Sequence, residues 1–179
     1  MKKCLNLGSG KVIKNSSAEE KWLNLDSIKL EGVSVIHNLD NYPWPFKKDT
    51  FDRIDAFMVL EHVSDIVRAM EEIYRISKPD AEIVIKVPFF PGLNAINDPT
   101  HKNFLNYYSF DYFTPEHSYN YYSKARFKIA EKYIRFSWNP LLNLMSIPIN
   151  LFPRFYSRYL AFILPSNELF VKLKAIKER

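Results

Sequence analysis

The sequence contains little cysteine, little glycine and no long apolar run. Cys4 is the single cysteine among 179 residues, which excludes an internal disulfide and favours the reducing interior of a cell, so we expect a cytoplasmic protein. No stretch reaches the ~20 apolar residues that a membrane-spanning helix needs. Glycine occurs four times against eleven prolines. Two of the glycines, Gly8 and Gly10, lie close together near the start of the chain.

The composition and the charge distribution describe a globular protein with a basic C-terminal part. Hydrophobic residues make up 47% of the chain, and we expect residues 1–179 to form a single domain. Residues 124–179 hold 11 lysines and arginines against 3 acidic residues. This surplus permits an anionic partner, such as nucleic acid, a lipid headgroup or an acidic saccharide. The alternative is a solvated basic face that serves solubility.

Apolar runs alternate with helical periodicity along the first half of the chain. Residues 64–77 have apolar positions at helical spacing, with Ser64 as the predicted N-cap. The predicted strands are 2–7, 22–25, 33–37, 51–60, 81–90, 127–136 and 168–177. This order predicts an α/β fold with a mostly parallel sheet, in which the last strand pairs antiparallel with 127–136. Residues 137–167 are broken by prolines and form an insertion of short helices between the last two strands.

The glycine turn in "CLNLGSGKV" matches neither common phosphate-binding motif. Val12 stands where a P-loop needs serine or threonine, and Ile13 stands where the dinucleotide motif needs its third glycine. Carboxylates follow the next three strands, at Asp26, Asp40 and Glu61. Because ligands of open α/β sheets bind at the carboxyl ends of the strands, we expect a binding site along this edge.

The same residues resemble the class I S-adenosylmethionine-dependent methyltransferases, particularly the small methyltransferase type 11 group. The matching segments are "LNLGSG", "WLNLD", "LDNYPWPFKKDTFDRIDAFMVLEHVSD" and "EEIYRISKPDAEIVIKVP". The resemblance implies a Rossmann-like sheet and S-adenosylmethionine as cofactor. Only fifteen residues separate Gly10 from Asp26, so we expect the N-terminal helical layer to be shortened.

The resemblance also implies roles for residues at the strand ends. Gly8 and Gly10 would let the backbone approach the cofactor, and Asp26 would hold its ribose. Asp40, with Asn41, would bind the adenine, and Met58 would line the methionine side. Asn6 stands where the family usually has an acidic residue, and is expected to hydrogen-bond the cofactor without adding charge.

The acceptor is expected over the same edge, beside segments that leave the fifth and sixth strands. A histidine next to a carboxylate is suited to act as a base near neutral pH, so His101 with Asp98 is the candidate catalytic pair. The alternative is an ordinary turn at 98–100 with His101 as a hydrogen-bonded loop residue. His62, Tyr107 and Tyr108 are the candidate acceptor-binding residues, and no metal is expected.

These features predict methyl transfer to a small-molecule, saccharide or lipid-linked acceptor. An RNA methyltransferase and a non-catalytic cofactor-binding or scaffold protein are the alternatives. The stretch "RFYSRYLAFIL" mixes arginines with aromatic and aliphatic residues, a composition that suits a membrane interface, a lipid-linked saccharide or a dimer contact. Residues 139–165 are therefore a candidate peripheral membrane contact, and 137–167 a candidate lid, with an ordinary packed helical hairpin as the alternative.

Overall fold

One seven-stranded mixed sheet organises the computed structural model, which describes residues 1–177. The strands are β1 (Lys2–Leu7), β2 (Glu20–Asp26), β3 (Val35–Ile36), β4 (Phe51–Phe57), β5 (Ser77–Pro88), β6 (Phe127–Arg135) and β7 (Glu168–Ala175). Their order in the sheet is β3-β2-β1-β4-β5-β7-β6. The strands pair in parallel from β3 to β5, whereas β7 is antiparallel to both β5 and β6. The predicted fold class, including the antiparallel C-terminal strand, is confirmed.

One face of the sheet is apolar and packs against α1 (Ile66–Ile76). Side chains alternate across a strand, so Leu5, Ile54 and Ile83 share this face, and each is fully buried. The helix buries Met70 and Ile73 against them. Asp65, not Ser64, caps α1, because the Asp65 carboxylate accepts a hydrogen bond from the Arg68 N–H at 2.9 Å. Ser64 instead binds Asp40.

The opposite face of the sheet carries charged side chains in cross-strand ion pairs. Arg53 on β4 lies 3.6 Å from Glu82 on β5, and Lys172 on β7 lies 3.8 Å from Glu82 and 3.9 Å from Glu131. These residues occupy the positions that alternate with the buried apolar ones. One face of the sheet therefore packs against α1, and the other carries ion pairs between strands. The alternation of apolar and polar residues along each strand already encodes this difference.

No helix lies between β1 and β4. Residues 8–50 form turns and extended segments around β2 and β3, in agreement with the predicted shortening of the helical layer. Lys14 covers part of the sheet that is left without a helix. Its ammonium pairs with Asp55 and lies 4.3 Å and 4.6 Å from the ring centroids of Trp22 and Phe57. The Lys14 side chain and its three partners thus cover a part of the polar face of the sheet.

The connections after β5 contain only short helical pieces. They are α2 (Leu93–Ile96), 3₁₀ turns at Ser109–Phe113 and Asn120–Tyr122, a 3₁₀ turn at Leu142–Met145, α3 (Ser146–Leu151), α4 (Pro153–Phe155) and a π-helical turn at Tyr156–Leu160. Asn150 on α3 covers the edge strand β6, because its amide donates to the Ile134 carbonyl at 2.7 Å and accepts from the Ile134 N–H at 2.8 Å. The outer edge of the sheet is thereby partly paired.

Residues 137–167 leave an unusual amount of apolar surface exposed. Fourteen large apolar or aromatic side chains of this segment are exposed, with Ile163 at 80% and Leu141 at 74%. Among residues 1–177, no helix has the length and apolar character required to cross a bilayer. The assignment of 137–167 as a lid stays a prediction.

Candidate functional site

The glycine turn after β1 is shaped by close backbone packing. Gly8 has a φ of +58°, and a Cβ there would lie 2.3 Å from Cγ2 of Val59, so only glycine fits without displacement. Gly10 has a φ of +50° with open space around it. The Gly10 N–H donates to the Asp26 carboxylate at 2.8 Å, and the Ser9 N–H donates to the Leu25 carbonyl at 2.9 Å. The ends of β1 and β2 are therefore held together.

A cleft of about 360 Å³ opens at these strand ends. Five predicted cofactor residues line it: Gly8, Gly10, Asp26, Asp40 and Met58. The predicted acceptor residue His62 lines it too, together with residues that the sequence did not single out: Leu25, Ser27, His37, Asn38, Leu39, Val59 and Val63. The cleft therefore combines two carboxylates with an apolar wall.

Asp26 keeps unused acceptor capacity. Its Oδ2 accepts from Gly10 N–H and its Oδ1 accepts from Ile28 N–H at 3.0 Å. A carboxylate offers about four acceptor sites, so about two remain. That number matches the two hydroxyls of a ribose.

The Asp40 carboxylate already accepts hydrogen bonds from other residues of the protein, which the sequence did not predict. Its carboxylate accepts from the Ser64 N–H at 2.8 Å and the Ser64 hydroxyl at 2.6 Å, and Lys102 Nζ lies 3.4 Å away. Burial opposes ionisation, but the bonds from Ser64 and the charge of Lys102 outweigh it and lower the pKa of Asp40. Asp40 thus ties the loop after β3 to the start of α1 and has room for about one further donor.

Two predicted cofactor residues do not line the cleft. The buried Asn6 amide donates to the Val12 carbonyl at 2.9 Å and to the Asn24 side chain at 3.0 Å, so Asn6 shapes the glycine turn from behind. Asn41 is exposed, and its carbonyl contacts His37 Nε2 at 2.8 Å. His37 and Leu39 take the place in the cleft that was expected for Asn41.

S-adenosylmethionine fits the residues of this cleft. Gly10 has open space where a Cβ would stand, so a ligand can approach its backbone closely, and Asp26 has the acceptor capacity for a ribose. Met58, with a φ of +51°, and Leu39 provide apolar contact surface. A site without a phosphate-binding motif suits a cofactor without phosphate.

Beside the cleft, the turn after β4 meets the segment that carries His101. The Glu61 carbonyl accepts from the Lys102 and Asn103 N–H groups at 2.8 Å and 3.0 Å. The rings of His62 and His101 are consequently 4.7 Å apart, centroid to centroid. Asp98 Oδ2 lies 3.8 Å from His101 Nε2, so the predicted pair is close in space, and its catalytic role stays a prediction.

Glu61 is a carboxylate that the sequence placed at this edge of the sheet without giving it a role of its own. Its side chain is buried, and neither carboxylate oxygen accepts a hydrogen bond from another residue. Burial raises the pKa of Glu61 to about 7, although the nearby His101 acts in the opposite direction. The position of Glu61 directly after a strand could be read from the sequence, but its lack of a hydrogen-bond partner could not.

Tyr107 and Tyr108 lie outside the cleft. Tyr107 lines a separate cavity, where Lys132 Nζ lies 4.2 Å from its ring centroid. Tyr108 lines a different hollow beside α1, and its hydroxyl donates to the Arg154 carbonyl at 3.1 Å. Their contacts are therefore with β6 and the 137–167 segment, and a role in acceptor binding stays a prediction.

Comparisons with curated proteins find relatives for a part of this chain. A human protein, the mitochondrial arginine-hydroxylase NDUFAF5, is 35% identical over 75 residues, which cover 42% of this chain and 21% of that protein. The chain thus spans about a fifth to a quarter of the curated relatives it matches.

Solved structures share the fold at low sequence identity. A SAM-dependent methyltransferase from Archaeoglobus fulgidus has a TM-score of 0.62 at 16% identity, with 97% of this chain and 86% of that chain covered. A chain from a complex that contains the Haloferax volcanii Trm112 methyltransferase activator has a TM-score of 0.63 at 15% identity, with 98% and 83% covered. Residues 5–130 match the family described as methyltransferase domain. With most of its length matched, the chain belongs to the class I S-adenosylmethionine-dependent methyltransferase family.

Proposed function

We propose that this chain transfers a methyl group from S-adenosylmethionine to a lipid-linked acceptor at a membrane surface. The observation that carries the acceptor class is the exposed apolar surface of residues 137–167. This segment also contains Arg154 and Arg158, and arginine among apolar side chains is the combination that binds anionic membrane interfaces. Water-soluble small molecules and saccharides are the alternatives that the experiment below separates.

The residues of the cleft would hold the cofactor in a fixed pose. When bound, S-adenosylmethionine supplies a methyl group already activated by its positively charged sulfur, so positioning is the main demand on the protein. Asp26 would accept the ribose hydroxyls, and Asp40 would accept from the adenine amino group. Gly8 and Gly10 would allow close backbone contact, with Met58 along the methionine side.

The acceptor would approach from the side of His62 and His101. Residues 137–167 reach this side through Phe162, whose ring centroid is 5.8 Å from that of Phe90. The Phe90 N–H donates to the Leu105 carbonyl at 2.8 Å, so this contact adjoins the segment that carries His101. We infer that residues 137–167 form a lid over the acceptor, with His101 and Asp98 available to accept its proton.

A methyl-transfer assay with labelled S-adenosylmethionine tests the proposal. The full chain is incubated with lipid extracts and, separately, with water-soluble extracts, and calorimetry with S-adenosylhomocysteine measures cofactor binding. We expect cofactor binding and label in the organic phase. Label confined to the aqueous phase contradicts the lipid acceptor, label in RNA supports the RNA alternative, and absence of cofactor binding contradicts methyl transfer altogether.

Two exposed positions separate membrane contact from cofactor binding. The double variant Leu141→Ser, Ile163→Ser removes apolar surface without touching the cleft, and each side chain contributes about 1.5 kcal/mol or more to burial in an apolar phase. We expect about tenfold or greater loss of lipid methylation with unchanged S-adenosylhomocysteine affinity. Ile36→Thr on β3, at the other edge of the sheet, is the matched control. An unchanged rate of lipid methylation in the double variant contradicts membrane contact through residues 137–167.

A further inference from the structure

Three side chains of metal-ligand type meet beside the cleft: Glu61, His62 and His101. One ligand atom from each lies within 4.8 Å of the other two. Ligand atoms bound to a tetrahedral ion at about 2.1 Å are roughly 3.4 Å apart, so a small rotation of the side chains closes this set. The three residues come from two segments that backbone hydrogen bonds hold together, so their proximity is built into the fold.

Hydrogen bonds leave the Nε2 lone pair of both imidazoles free. His101 Nδ1 lies 3.0 Å from the Ala95 carbonyl, which can only accept, so Nδ1 carries the proton of the neutral ring. His62 Nδ1 lies 2.9 Å from the Thr100 hydroxyl, and that hydroxyl donates its own hydrogen to Asp98 at 2.7 Å. The hydroxyl therefore accepts from His62 Nδ1. Metal-binding histidines are oriented by this kind of contact at the other ring nitrogen.

Glu61 supplies the second, independent observation. Its carboxylate is 2% exposed and has no hydrogen-bond partner on either oxygen, which is rare for a buried charged group. A buried carboxylate without a partner is costly, whereas one that binds a cation is not. In the tautomers described above, the two imidazoles next to it present acceptor nitrogens and donate no hydrogen bond to the carboxylate, so a cation is the partner that this group lacks.

We propose that Glu61, His62 and His101 bind one divalent cation of the first transition series. Two imidazoles and one carboxylate suit zinc, cobalt or iron(II), whereas magnesium and calcium prefer sets made of oxygen alone. His62 also lines the cofactor cleft, so the proposed metal site adjoins the cleft. Asp98 Oδ2, 3.8 Å from His101 Nε2, adjoins the site. This proposal replaces the expectation of a site without metal.

A cation at this position would have a direct use in the reaction. An oxygen ligand bound to such an ion has a lowered pKa, so an acceptor hydroxyl there would lose its proton to solvent water near neutral pH, with His101 as a ligand of the ion and not as the base. This use rests on the proposed function. The binding of the ion does not.

Cobalt binding to the purified full chain tests the site directly. After treatment with a chelator and its removal, the protein is titrated with Co²⁺, followed by calorimetry and by the visible absorption that nitrogen ligation produces. We expect one Co²⁺ per chain, displacement by Zn²⁺, and no competition by Mg²⁺ at the same concentration. Glu61→Gln, His62→Asn and His101→Asn should each weaken binding at least tenfold. His117→Asn, outside the cluster, should bind like the wild type.

The outcomes separate this site from the proposed function. No Co²⁺ binding by the wild type, or undiminished binding in all three ligand variants, overturns the site. Thr100→Val provides a milder variant if a ligand variant fails to fold: loss of the contact at His62 Nδ1 should weaken binding about tenfold. Methyl transfer by chelator-treated protein that binds no Co²⁺ contradicts the metal site alone, whereas Co²⁺ binding without methyl transfer contradicts the proposed function alone.

Discussion

At the scale of single residues, Gly8 leaves little space for any side chain. Its backbone is left-handed, and the atoms that a side chain would meet belong to Val59, which itself lines the cleft. The left-handed backbone and the contact with Val59 both disfavour a Cβ at this position. The backbone of Gly10 is also left-handed but has open space around it, so the two glycines of one motif differ in what they permit.

Gly8→Ala should therefore impair cofactor binding more than Gly10→Ala does. We expect Gly8→Ala to lower S-adenosylhomocysteine affinity at least tenfold and to destabilise the fold by about 1–3 kcal/mol, because Val59 must move. Gly10→Ala should cost about 1 kcal/mol from its backbone conformation alone. Calorimetry and urea unfolding measure both. Equal affinities in the two variants would contradict the steric argument.

Asp26 is expected to act through its unused acceptor sites. Asp26→Asn keeps the shape but removes the charge and turns one acceptor atom into a donor that faces a backbone N–H. A charged hydrogen bond contributes about 1.5–3 kcal/mol, so S-adenosylhomocysteine affinity should fall about 10- to 100-fold. Asp49→Asn, on the remote turn before β4, serves as control. Affinity that does not change in Asp26→Asn would remove the ribose assignment.

For Asp40, the motif predicts the position of the residue in the cleft but not its hydrogen-bond partners. The residue pattern places Asp40 after β3, and it lines the cleft as the resemblance implies. Its bonds to Ser64 and Lys102 join residues 24 and 62 positions away in the chain. No local pattern specifies such partners, because they depend on where two loops meet.

At the scale of elements, α1 holds the loop before β4 through one ion pair. Glu72 accepts from the Trp44 N–H at 2.7 Å, and Arg75 donates to Glu72 and to the carbonyls of Trp44 and Phe46. Burial disfavours the charge of Glu72, but the bonds from Arg75 and Trp44 outweigh it and lower the pKa of Glu72. The loop that follows Asp40 is thus anchored to the helix.

The stability that Glu72 contributes should depend on pH. Because the pKa of Glu72 is lower in the folded than in the unfolded protein, its contribution is present above the ordinary value of 4.5 and is lost as the pH falls through the folded value. Glu72→Gln should cost about 1–3 kcal/mol at neutral pH and progressively less in acid. Urea unfolding at a series of pH values measures this. Exposed Glu116→Gln should show no such trend, and a constant difference for Glu72→Gln contradicts the linkage.

Elements with a clear hydrophobic period could be predicted from the sequence, but the residues at which they begin and end could not. The alternation in 168–177 and the helical spacing in 64–77 identify β7 and α1, because both patterns follow from local geometry. The cap of α1 was wrong by one residue, since Ser64 has a stronger partner in Asp40. The prolines between 139 and 165 indicated short helices, but the bonds from Asn150 to β6 needed the tertiary structure.

At the scale of the whole molecule, the basic surplus belongs to the part that contains the exposed apolar segment. The chain has a net charge of +5, and residues 124–179 account for the excess of lysine and arginine. Arg158 lies 5.7 Å from the ring centroid of Tyr159, within the exposed surface. Arg154 and Arg158 thus lie in the same segment as the exposed apolar area, which is the combination that binding to an anionic membrane requires.

Vesicle binding should therefore respond to both lipid charge and salt. We expect the full chain to co-sediment with vesicles of phosphatidylglycerol and phosphatidylcholine and to release as NaCl is raised, because screening weakens the charge term. Arg154→Gln with Arg158→Gln should weaken binding by about 1 kcal/mol per arginine, or roughly 30-fold together. Lys47→Gln is the control. Equal binding to vesicles of phosphatidylcholine alone contradicts an electrostatic contribution.

The sequence by itself determined which glycines, carboxylates and histidines of the site follow which strand. That information is local, because periodicity and motif spacing fix where each strand ends, and parallel strands deliver those ends to one edge. Only the tertiary structure decided that Glu61 is buried without a partner, that His62 and His101 face each other, and that residues 137–167 remain exposed. Those facts depend on contacts between loops without periodicity, where burial and hydrogen-bond pairing are properties of the folded chain and not of any segment.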